Sequence, residues 1–128
     1  MGLQRVLLML MRLSAAVQIV LGIGFWTRHW WNAIQVHTNN GIAFVVMLWL
    51  LAIIALVQRR TVGLALFAVV WGFAIAMLGF TQYRILAGSS FHWVVRVVHL
   101  AAGLATLGIA EKLVAARSRG VEATGAAA

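Results

Sequence analysis

Four long apolar stretches, none interrupted by proline, constrain what this chain can fold into. They run roughly from Arg5 to Trp26, Val36 to Val57, Val62 to Phe80 and Trp93 to Ala116. Each is close to the ~20 residues a helix needs to cross a bilayer core. Of the 128 residues, 64% are hydrophobic and only 9% charged, too much apolar surface for a water-soluble domain of this length. Nothing alternates at period two, which argues against a β-barrel. The expected fold is an all-α integral membrane protein. Its transmembrane helices are expected near residues 4–26, 30–58, 61–82 and 91–116, in a single domain covering 1–117. The loops are short, so successive helices should be antiparallel neighbours in an up-down-up-down four-helix bundle. The Gly/Ala-rich segment 118–128 reads as a disordered tail.

Charge suggests an orientation. Arg5, Arg12, Arg59, Arg60, Lys112, Arg117 and Arg119 fall at one end of such a bundle, and Arg28, Arg84 and Arg96 at the other. The positive-inside rule then puts both termini and the middle loop in the cytoplasm, in an inner or plasma membrane. The first stretch is too long for a cleaved signal peptide and ends in Gly24-Phe25-Trp26, not in a small-residue cleavage site. The net charge of +8 reads as a topology signal with affinity for anionic lipid. A nucleic-acid partner would need a soluble basic patch, which is missing. There is no cysteine, so disulfides and thiolate chemistry are excluded.

The histidines are confined to two matching segments. His29-Trp30 is followed by His37 and Gly41, and His92-Trp93 by His99 and Gly103. Upstream, Gly24-Phe25 and Gly79-Phe80 are each followed by an arginine, Arg28 or Arg84. The offset is 62 residues for His37/His99 and Gly41/Gly103, 63 for His29/His92 and 55 for Gly24/Gly79. The halves thus read as two pseudo-repeated helical hairpins about an axis along the membrane normal. By helical rise, His99 lies about 10 Å inside its helix. His37 lies at the same depth if the second helix begins near His29 or Trp30.

Ionisable residues inside a membrane bundle point to function, and neutral imidazole is the commonest metal ligand. Bare zinc or copper wants three or four ligands. Two imidazoles suffice for haem iron, because the macrocycle supplies the other four ligands. Gly41 and Gly103 lie one turn from each histidine, with Gly22, Gly24 and Gly79 at comparable depth, and these glycines can clear space for a flat macrocycle. Arg28, Arg84 and Arg96, with His29 and His92, supply cations and donors for propionates near the surface. Arg96 is expected to point away from the ligand face.

This pattern resembles the membrane b-type cytochromes, above all the four-helix haem core of the cytochrome b and cytochrome b561 kinds. In that core the axial histidines come from the second and fourth helices, and glycines on the first and third clear space. The resemblance implies one bis-histidine haem b held by His37 and His99, with Gly24 (or Gly22) and Gly79 as clearing glycines. It further implies single-electron transfer between an outer-side donor and quinone or a partner subunit. If the chain is an enzyme, it is a quinone-linked oxidoreductase, with an outer-haem superoxide oxidase as one form. Di-haem members carry a second histidine about four turns deeper on each ligand helix. Phe44–Val57 and Leu104–Ala115 contain none, which implies one haem near the outer face. Quinone, a redox partner protein and a second copy of the chain are the candidate partners besides lipid.

Simpler roles fit some of these residues. His29 and His92 suit an aromatic belt with Trp26, Trp30, Trp31 and Trp93, or propionate contacts, a proton route or an interfacial quinone site. A shifted register would pair His92 with His37. Trp49 and Trp71 read as packing, Arg12 as a snorkelling cation, and the glycines as small-residue contacts. Two other classes share this composition: a cofactor-free membrane anchor or assembly subunit, and a histidine-based metal-binding transport unit.

Overall fold

In lipid every backbone polar group must be bonded internally, so apolar stretches of this length become helices. The computed structural model describes residues 2–27, 29–59 and 61–125, with side chains described as far as Ala116. It contains four α-helices: α1 (Leu3–Trp26), α2 (Ile34–Val57), α3 (Val62–Thr81) and α4 (His92–Gly125). All four are long and apolar enough to cross a membrane, and no strand occurs among the described residues. Arg28, Arg60 and the last residues of the expected tail, 126–128, lie outside the described residues. So do the side chains of Arg117, Arg119 and the rest of that tail.

The second apolar span opens at Trp31, beside the expected residue 30, but its first turn is not α-helical. A 3-10 turn at Trp31–Ala33 precedes α2, so His37 sits one turn inside α2, whereas His99 lies two turns inside α4. The α2–α3 turn is tight: Arg59 (φ 51°) and Thr61 (φ 50°) both adopt the left-handed conformation that favours glycine.

Each helix packs against the next, α1 packs against α4, and α2 and α4 meet across the middle; among the described residues the backbones of α1 and α3 make no close approach. The core lies away from the histidines. Met11, Leu48, Leu51 and Thr106 are fully buried there, joined by Leu7, Phe44, Ala52, Ala65, Ala68, Ala110 and Leu113. The alanines let α2 and α3 approach closely, and Gly72 continues that contact. A Cβ at Gly72 would overlap the Trp49 indole. Trp49 donates to the Val69 carbonyl at 3.2 Å and packs 4.7 Å from the Phe73 ring. Trp71 donates to Thr106 Oγ1 at 2.9 Å. Both tryptophans are packing residues that satisfy their N–H groups inside the bundle. Trp26, Trp30, Trp31 and Trp93 are exposed.

Arg12 departs from the snorkelling expectation. Its guanidinium donates through Nε (3.1 Å) and one Nη (2.8 Å) to Glu111 Oε1 of α4. A cation within one apolar span is thereby neutralised by an acid within another, which lowers the cost of holding either in lipid. Ser14 and Asn40 form a second polar link. Ser14 Oγ donates to Asn40 Oδ1, and Asn40 Nδ2 donates to the Ser14 carbonyl, both at 2.9 Å. This link fixes the register of α1 against α2.

Candidate functional site

A cavity of about 350 Å³ opens where the C-terminal half of α1, the first turns of α2, the end of α3 and the first turns of α4 meet. Its size falls in the range of ordinary small-molecule sites. His37 and His99 face each other across it, with ring centres 6.3 Å apart and planes inclined at 50°. Phe25 of α1 holds His37 from the side by an edge-on contact, 5.2 Å between centres. His99 is seated on Gly79 of α3, where a Cβ would stand 3.5 Å from its Cε1. The register that would pair His92 with His37 does not occur.

The separation of the two rings is informative. A metal–imidazole bond is about 2 Å, and the ring centre lies about 1 Å behind the bonding nitrogen, so two imidazoles on opposite sides of one metal have centres about 6 Å apart. The observed 6.3 Å matches that spacing. Both Nδ1 atoms are sealed and make no hydrogen bond. Leaving a buried polar group unpaired costs about 1–3 kcal/mol. Neither Nε2 is sealed in this way, and neither bonds to protein, so these atoms are the ones free to meet a ligand. Among the described residues no three His, Cys, Asp or Glu side chains gather to hold a bare metal ion. The donor set therefore suits a metal whose remaining ligands arrive with it, as in haem.

The glycines separate into distinct roles. Gly22 of α1 and Gly103 of α4 border the cavity, and a Cβ on either would meet nothing within 4 Å. They leave room for a flat group. Gly41 admits the Gln18 side chain, whose Nε2 would stand 2.7 Å from a Cβ there. Gly79 admits His99. Gly24 belongs elsewhere: a Cβ there would overlap the Trp30 indole, and it lines a separate hollow with Val20, Thr27 and His29. Of the two α1 glycines considered from sequence, Gly22 is the one at the site.

Arg96 corrects its expectation. Three residues advance about 300° around a helix, which leaves Arg96 only about 60° from His99 and on the same face. It lines the cavity with His92, Gln82 and Tyr83. His92 is oriented by contact of Nδ1 with the Ile85 carbonyl at 3.0 Å. Arg84 lies outside the lining and stacks over Tyr83, 5.3 Å from its ring centre. His29 is exposed in the hollow beside Gly24 and does not reach the cavity. Thus His37, His99, Gly41, Gly79, Gly103, Arg96 and His92 come together, while Gly24, His29 and Arg84 do not.

Gln18 was not expected. Its Oε1 is sealed without a partner on the cavity wall. The signal available was a carboxamide isolated in an apolar helix, one turn from Ser14 and one from Gly22. The arrangement as a whole defines a class: an all-helical protein fit for a membrane, with a two-histidine cavity near one end of its helices. No protein-family model, curated protein or solved structure matches the chain.

Proposed function

We propose that the protein is a membrane b-type cytochrome that holds one haem b between His37 and His99 and passes single electrons. The observation that carries this reading is the pair of imidazoles 6.3 Å apart across a glycine-bordered cavity. Each histidine would offer Nε2 to the iron. Gly22 and Gly103 would let the macrocycle lie against the helices. Arg96 and His92, at the same wall, would meet its carboxylates. The haem supplies one-electron chemistry, and the chain supplies binding, orientation and tuning. With a histidine on each side, the site would favour electron transfer over chemistry at the metal.

The bundle is read as up-down-up-down. The pairs Phe25–His37 and Gly79–His99 join late residues of one helix to early residues of the next, and Arg12–Glu111 joins the first half of α1 to the later part of α4, which supports this sense. Each ligand comes from the first two turns of the second helix of its hairpin, which supports the internal repeat. By the positive-inside rule the haem lies near the outer face and the termini are cytoplasmic. Electrons would pass between an outer donor and quinone or a partner protein.

The test is an absorption spectrum of the purified protein, expressed with ample haem, before and after dithionite. A sharp reduced α-band of the haem b type is expected, and it should vanish in His99→Ala. Colourless wild-type protein contradicts the reading, and metal analysis of it then divides a membrane anchor from a histidine-based metal-binding transport unit.

A further inference from the structure

Three buried side-chain atoms on this cavity lack partners: Nδ1 of His37, Nδ1 of His99 and Oε1 of Gln18. If each histidine gives Nε2 to the iron, its Nδ1 carries the proton and becomes a donor. The carboxamide oxygen of Gln18 is an acceptor only. The set therefore contains two donors and one acceptor, in one cavity.

Gln18 packs on the helix that carries His37. Its Nε2 rests against Gly41, at 2.7 Å from where a Cβ would stand, so only glycine admits it without displacement. Gly41 is one turn from His37 on the same face of α2. The Ser14–Asn40 bonds pin α1 to α2 one turn further along both helices, which fixes where Gln18 can sit. The place in the second hairpin that matches Gln18 holds no carboxamide. The 55-residue offset that relates Gly24 to Gly79 relates Gln18 to Phe73, which packs on Trp49. The wall beside His99 is glycine, Gly79.

We infer that Gln18 is a positioning residue for His37: when the haem is bound, its carboxamide oxygen takes the Nδ1–H of that ligand and makes the two histidine ligands unequal. An acceptor on the far nitrogen fixes the tautomer and ring orientation and raises the basicity of the ligating nitrogen. A more basic ligand favours the oxidised metal, so the bond lowers the reduction potential. The two hairpins therefore each supply a histidine but differ at this acceptor, Gln18 in the first and Phe73 at the matching place in the second. The inference rests on the haem reading and refines it.

The test compares wild type with Gln18→Leu and Gln18→Glu in the full-length, haem-loaded protein. Leucine keeps the bulk and removes the acceptor; glutamate keeps the acceptor and strengthens it. The readouts are the midpoint potential and the low-spin electron paramagnetic resonance g values. Gln18→Leu should retain the α-band, raise the potential and shift the g values, and Gln18→Glu should lower the potential. Haem-loaded variants with wild-type potential and g values overturn the role of Gln18 while leaving the haem reading intact. Wild-type protein without haem overturns both. Should Gln18→Leu not assemble, Gln18→Glu decides alone, and an unmoved potential overturns the inference.

Discussion

Filling the open glycines should separate a cofactor cradle from an accidental gap. Gly22 and Gly103 border the cavity, and a Cβ at either meets nothing within 4 Å. Glycine inside a helix is less favourable than alanine by about 1 kcal/mol. In a protein with no ligand, alanine or leucine at these positions is therefore neutral or stabilising. Leucine adds four carbons, about 120 Å³ if each takes roughly a water's 30 Å³ share. That is about a third of the 350 Å³ cavity, and two such substitutions take about two thirds. Gly103→Leu and the double variant Gly22→Leu/Gly103→Leu should thus keep or raise the melting temperature of the cofactor-free protein. Haem loading should fall at least tenfold in the double variant, a loss of about 1.4 kcal/mol or more. The assay pairs haem titration in detergent, followed by absorbance, with thermal unfolding of the same preparations. Unchanged haem affinity in a folded double variant would refute the assignment of this space to the macrocycle.

Other consequences follow from the same geometry. Gly72→Val should force its side chain into the Trp49 indole and break the Trp49–Val69 bond; overpacking of this kind costs about 1–3 kcal/mol, measurable by denaturant unfolding in mixed micelles. Arg12→Leu or Glu111→Leu should each destabilise more than the double variant, because a single substitution strands a charge within an apolar span. The pair is about half exposed, with side chains 59% and 45% accessible, so each single loss should be modest, about 1–2 kcal/mol. His29→Ala should leave most of the reduced α-band in place, since His29 lies in the separate hollow with Gly24; loss of the band there would move the site.

The helices were legible because apolar length is the strongest constraint on a membrane chain. The facing of His37 and His99 was legible because each sits at an equivalent place in a duplicated pattern. The glycines were less so: Gly24 and Gly22 differ by two residues, and only the Trp30 indole lying over Gly24 decides between them. The 3-10 turn at Trp31–Ala33 had no proline or glycine to announce it. The pairing of Arg12 with Glu111 joins residues 99 positions apart and leaves no local trace. Arg96 was readable and was misjudged: three residues along a helix return nearly to the same face. Gln18 gave only the weak signal of one polar residue in an apolar run, and its meaning depends on two unpartnered nitrogens on other helices.

The most direct test of the central claim is the haem-to-protein ratio of wild type, His37→Ala and His99→Ala, measured beside the low-spin resonance of each. One haem per chain with a bis-imidazole signature in wild type, and loss of that signature in both variants, is the expected result. Two haems per chain, none, or a bis-imidazole signature that survives either substitution would contradict it.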